Sequence, residues 1–216
     1  MNYITSQFPE NDSSAQFKLW VPFMRNQEGD PYVNDPKDAG GPTRRGITIG
    51  TWSTYAPMLF NIPGTVETLK NSTIEQADKV SWAYWNDSKI PKFKSNGLKL
   101  ALAEFAWGSG PNATWVLQQV LNRHFNAGLR EDAALGPITI AAANRATDED
   151  EIKLLTELKN GQIKFINASG YIANDYKPVL VARVKQMHEV YIPKLFTLKK
   201  KTEHWVKKEI LLPPSV

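Results

Sequence analysis

The chain of 216 residues carries 26 Lys and Arg against 22 Asp and Glu, a formal net charge of +4, and its length fits one domain or two small ones at ~100–200 residues each. Hydrophobic residues make up 42%, enough to bury a real core, which excludes disordered and fibrous classes. With no Cys, disulfide scaffolds, thiolate metal sites, iron–sulfur clusters and cysteine nucleophiles are excluded as well.

In chain order, residues 1–20 lack a basic start followed by an apolar stretch, so no secretory signal is expected. No segment reaches the ~18 uncharged apolar residues of a membrane span, and none is expected. Phe17, Trp20, Val21 and Met24 fall at i, i+3, i+4 and i+7, one stripe of a first helix capped by Ser13 or Ser14, with Pro22 expected to kink or restart it. From Gly29 to Gly50 the pattern collapses into Gly, Pro and Asn-Asp turn chemistry, one long structured loop with a short hairpin around Thr48.

Helices are then expected over 52–60 and over 73–85, the second capped by Ser72 or Thr73 with Ile74, Ala77 and Trp82 as apolar positions. Leu98 to Trp107 is apolar nearly all round and reads as the central helix. Further helices start at Thr114 and at Pro137, and Asp148–Glu151 opens the helix of Ile152, Leu155, Leu158, Ile163 and Phe165, its acidic residues at the favourable end of the dipole. From Pro193 onward six Lys face two Glu, which accounts for the whole net charge. Such a tail suits salt-sensitive attraction to a polyanion or is a solvated helix end. With no reader motif beside Trp205, nucleic acid is not expected as a partner.

The three His, at 124, 188 and 204, form no metal-ligand spacing, so no metal and no cofactor is expected, and no Walker, dinucleotide or GxSxG pattern occurs. Carboxylate chemistry remains. Glu28 continues the first stripe, four residues after Met24, and closes its helix, since Gly29 favours a left-handed stop and Pro31 forbids continuation. A carboxylate at the negative end of the dipole, on the margin of a core, is driven toward its neutral form, the direction a general acid needs. A glycosidase also needs a second group for the sugar cation or for water; Asp35, Asp38, Thr43 and Thr48 follow on the same loop. Tyr32, Trp52 and Tyr55 offer flat faces for sugar rings, with core packing as the competing use.

The stretch from Phe17 to Trp52, FKLWVPFMRNQEGDPYVNDPKDAGGPTRRGITIGTW, resembles glycoside hydrolase family 108, the bacterial and phage N-acetylmuramidases. The pattern it resembles is a helix ending in Glu-Gly-Gly, then an aromatic, Asn-Asp-Pro, Asp-x-Gly-Gly, Thr and Gly-Ile-Thr. Residues 101–144, with Trp107-Gly-Ser-Gly-Pro, Leu117-Gln118 and Asp132-x3-Gly136-Pro-x-Thr139, resemble the peptidoglycan-binding-like region that follows in this family. The resemblance implies a mainly α, lysozyme-like fold and hydrolysis of the β-1,4 bond between N-acetylmuramic acid and N-acetylglucosamine, with Glu28 as catalytic glutamate. Glu104 falls where an acid is usual and reads as a supporting group; with Trp107 it joins Tyr32, Thr43, Thr48 and Trp52 as the expected substrate contacts.

Three departures stand out. Asp30-Pro31 replaces the second Gly, Arg44 stands where Asn or Lys is frequent, and the family's Gly-Trp-Leu-x-Arg ending is reduced to Ala182-Arg183-Val184. The expected organisation is a catalytic region over 1–95, a peptidoglycan-binding-like helical region over 96–175 packed on it, and a basic tail over 176–216. Peptidoglycan strands are the expected partner, with delivery to the wall through a holin or a secretion system. The alternative is a non-catalytic wall-binding or secretion-accessory protein that keeps the fold.

Overall fold

The computed structural model of the chain describes residues 12–28, 31–34 and 40–194. Asp35, Asp38 and the lysine segment beyond residue 194 lie outside the described residues. The fold is mainly α, as expected, with one small antiparallel sheet.

Helix α1 (Asp12–Glu28) begins earlier than the serine cap implied, so Ser13 and Ser14 fall in its first turn, and it runs through Pro22 without a break. The sheet follows: β1 (Tyr32–Val33), β2 (Thr43–Arg44) and β3 (Ile47–Thr48), in that spatial order. Tyr32 pairs with Arg44 and Arg44 with Ile47, so these three share one face, while Val33, Thr43 and Thr48 share the other. Arg45 and Gly46 turn β2 into β3 with φ of 54° and 75°, the two positive values that a two-residue primed turn requires.

Helix α2 (Ile49–Phe60) is capped by Thr48, and α3 (Val66–Lys70) by Thr65. Helix α4 (Ile74–Asp87) starts at Thr73 with a capping box closed by Gln76. Ile74 is 49% exposed, so the expected apolar position fails there; Ala77, Val80 and Trp85 make the buried face. Helix α5 (Asn96–Ser109) is buried from Gly97 to Phe105, the central helix that its composition implies.

Helix α6 (Asn112–Phe125) packs along α7 (Pro137–Ala168), where an added Cβ at Gly161 would lie 3.0 and 3.1 Å from Val116 and Val120. A bare glycine lets the two helices close. Helix α7 breaks at Asp150 (φ −159°, ψ 90°), whose Oδ1 accepts from the Lys153 N–H at 2.9 Å, so the acidic run does start a new helical half. Ile152, expected in its core face, is 76% exposed because Leu154, Leu155 and Leu158 take the inward positions. Helix α8 (Lys177–Gln186) continues into a π turn over Met187–Tyr191.

Two hydrophobic clusters result. The larger joins Phe17, Trp20 and Met24 of α1 to Trp85 and to α5 through α8, crossing residue 95 freely. The smaller packs Ile47, Trp52, Ala56, Leu69 and Val80 beneath the sheet. Tyr84 and Trp107 pack against both, edge to face at 4.9 Å and 90°.

One partly buried His gives the fold a pH dependence. His188 Nε2 lies 2.9 Å from Gln162 Oε1, and the Gln162 amide donates to the Ala101 carbonyl at 3.2 Å. Burial, aided by Lys159 and opposed by Glu189, lowers its pKa to about 4. The folded state then binds fewer protons than the unfolded chain, so this contribution is full above pH ~6.5 and is lost as pH falls toward 4. His188→Gln should narrow the difference in unfolding free energy between pH 7 and pH 4 by roughly 2–3 kcal/mol, measured by denaturant titration at both pH values.

Candidate active site

The candidate acid, Glu28, is the last residue of α1, and the first sheet residue follows four positions later. An extended chain spans at most ~3.3–3.6 Å per residue, so the Glu28 and Tyr32 Cα atoms lie within about 14 Å of each other. The end of α1 is therefore tethered to the sheet's first edge. One turn back from Glu28, Arg25 forms an ion pair with Asp78 of α4. Burial, and then repulsion from Arg45 in the β2–β3 turn, holds the Arg25 pKa below its ordinary value. Three elements thus converge at the end of α1: the hairpin turn, α4 and α1 itself.

Asp78 is 5% exposed on a face with Ser81 and Trp85. Its only sequence signal is an acid at helical spacing from buried residues, and sequence reasoning missed it together with Arg25, whose partner stands 53 positions away.

Of the expected substrate contacts, Tyr32, Thr43 and Thr48 are partly exposed on the sheet. The Thr43 hydroxyl donates to the Gly41 carbonyl at 2.9 Å, and Thr48 Oγ1 accepts from the Thr51 N–H at 3.3 Å while capping α2. Trp107 stands at the seam of the two clusters, edge-on to Trp20 at 5.3 Å, and its buried Nε1 has no acceptor among the described residues.

Trp52 must be corrected. Fully buried in the smaller core, it donates from Nε1 to Thr68 Oγ1 at 2.9 Å and presents no ring to a ligand. Tyr55 is likewise buried, its hydroxyl donating to Asp87 Oδ2 at 3.0 Å; burial and then this bond push its pKa up to about 12. Glu104 is corrected as a substrate contact too. Its Oε2 accepts from Trp20 Nε1 at 3.0 Å and its Oε1 from Arg183 Nε, with the residue 5% exposed. Both oxygens serve the fold.

A cavity of about 50 Å³ lies elsewhere, between α5, α7 and α8, walled by Phe105, Phe165, Ile172 and Leu180 with Glu104 and Arg183 at its edge. It is mostly apolar, and no residue of α1 lines it. Among the described residues no group of three His, Asp or Glu is placed to hold a metal ion, and no helix is long and apolar enough to cross a membrane.

The fold is mainly helical and lysozyme-like, and the candidate acid closes α1 four positions before the small antiparallel sheet begins. Residues 21–110, which hold Glu28, the sheet and α2 to α5, match the family Glycosyl hydrolase 108. Among solved structures the chain is similar to that titled "Structure of Brucella abortus SagA", with 25% identity and a TM-score of 0.66 over 83% of this chain and 95% of that one. No curated protein matches the chain.

Proposed function

We propose that this protein hydrolyses peptidoglycan as an N-acetylmuramidase, cutting the β-1,4 bond between N-acetylmuramic acid and N-acetylglucosamine. The observation that carries the reading is the position of Glu28: it closes α1 immediately before the sheet, inside the segment that matches the glycosidase family. In this reading Glu28 protonates the glycosidic oxygen as the sugar cation develops. Asp38 or Asp35 supplies the second carboxylate, with Thr43 or Thr48 holding the water, and Tyr32 and Trp107 provide faces for the sugar rings. The separation of the two carboxylates decides the stereochemistry, about 5–5.5 Å for retention and ~6.5–9.5 Å for inversion. Residues 96–175 would hold the glycan strand beside the catalytic region, and the enzyme would act at the cell wall, delivered through a holin or a secretion system.

Digestion of purified sacculi tests this. The expected result is a fall in turbidity with new reducing ends and muropeptides carrying a reducing muramic acid. An anhydro-muramic product would select a lytic transglycosylase instead. Binding to sacculi without any new reducing end would select a non-catalytic wall protein, the outcome that the Asp30-Pro31 departure favours.

A further inference from the structure

The proposed chemistry leaves Arg44 unused. It stands on β2 directly opposite Tyr32 on one side and Ile47 on the other. Ile47 is fully buried, so this face of the sheet turns toward the smaller core, and Arg44 is half-buried with its Nε shut off from solvent. No acceptor among the described residues takes that N–H. Two other guanidinium groups have carboxylate partners, Arg25 with Asp78 and Arg183 with Glu104. A desolvated donor without an acceptor costs stability, so its persistence calls for an explanation.

The surroundings say what would satisfy it. Lys70 of α3 holds its ammonium 4.7 Å from the centre of the Tyr32 ring, the ring directly across from Arg44. A group arriving at this strand pair therefore meets two cations and an aromatic side chain. A guanidinium is a planar fork of donors with a permanent charge, matched to a carboxylate by two parallel hydrogen bonds. The sheet edge lies within about 14 Å of the end of α1, a distance that a glycan strand covers in a few sugar units.

We propose that Arg44, with Lys70 beside it, is a specificity-determining residue that reads a carboxylate displayed by the glycan strand. This rests on the muramidase reading. Two sources offer that chemistry: the lactyl group on muramic acid once its peptide has been removed, and the acidic residues of a peptide still attached there.

Soluble glycan strands in three forms decide it: peptide-bearing, stripped of peptide to free the lactyl carboxylates, and stripped then coupled to methylamine so that they are neutral. Calorimetric Kd values and reducing-end kinetics are measured on the full chain for each form. The wild type should bind neutral strands about tenfold more weakly than the preferred charged form, the value of one charge-assisted pair. In Arg44→Gln this ratio should fall below about twofold, with Arg44→Lys between them. Arg123→Gln, which removes the same charge from an exposed position on α6, should keep the wild-type ratio.

Tighter binding of stripped strands than of peptide-bearing ones assigns the lactyl carboxylate; the reverse order assigns the peptide. A wild-type ratio near one, or a tenfold ratio that survives in Arg44→Gln, overturns the inference. Hydrolysis that continues with a flat ratio leaves the muramidase reading standing without it. An Arg44-dependent ratio with no new reducing ends leaves the carboxylate site standing and removes the muramidase reading. Circular dichroism checks folding, and Arg44→Lys carries the comparison if Arg44→Gln does not fold.

Discussion

Glu28→Gln will lower the release of reducing ends from sacculi by about 10²–10⁴-fold, the range that a positioned general acid supplies, and will leave the helical spectrum and melting temperature where they were. The amide keeps the shape of the side chain and has no proton to give at the working pH. Stability should hold because Glu28 closes α1. A carboxylate at a helix C-terminus is disfavoured by ~0.3–1 kcal/mol, so its removal is neutral or slightly favourable. Loss of activity together with loss of fold would point to a structural role, which the melting curve separates. A Gln variant that lyses sacculi as the wild type does would move the proton donor elsewhere. Asp35→Asn and Asp38→Asn, assayed beside it, identify which of the two supplies the second carboxylate.

The second large effect concerns stability. Arg183 of α8 and Trp20 of α1 both bind Glu104 on the central helix, with Arg183 and Glu104 side chains 12% and 4% exposed. Arg183→Leu leaves a buried carboxylate without its cation, which costs about 3–5 kcal/mol. For a chain of this size that lowers the melting temperature by roughly 10 °C. Adding Glu104→Gln should recover more than half of the loss, because no unpaired charge then stays buried and Trp20 Nε1 keeps an oxygen to donate to. Differential scanning calorimetry on the single and double variants checks both statements. An Arg183→Leu protein melting within about 2 °C of wild type would contradict a buried pair.

What the sequence discloses is local. The Thr73 cap, the central apolar helix, the helical restart at the acidic run and the hairpin at Thr48 all follow from neighbours within a few positions. Where apolar residues compete for the same inward direction, periodicity alone fails: Ile74 and Ile152 point outward because nearby residues fill the core first. Trp52 marks the limit for the site. An aromatic residue close to a candidate acid reads equally as a sugar platform or as core, and only the packing of α3 beneath it decides. The ion pairs Arg25–Asp78 and Arg183–Glu104 join residues 53 and 79 positions apart, and no pattern in one sequence ties such residues together. The Nε of Arg44, which has no acceptor among the described residues, is invisible for the same reason, since a missing partner shows only in the packed structure.

The larger cluster has a consequence for engineering. Helix α1 rests on α5, and the far side of α5 is covered by α6, α7 and α8. The segment that matches the glycosidase family stops at residue 110, midway through that shared interior. Excised at this point, the piece would present the bare flank of its own backbone helix to water, with Phe105, which packs on Phe165, among the uncovered side chains. Grafting the family-matched segment onto another module therefore requires carrying the last helices along as a chaperoning wall, whatever they bind.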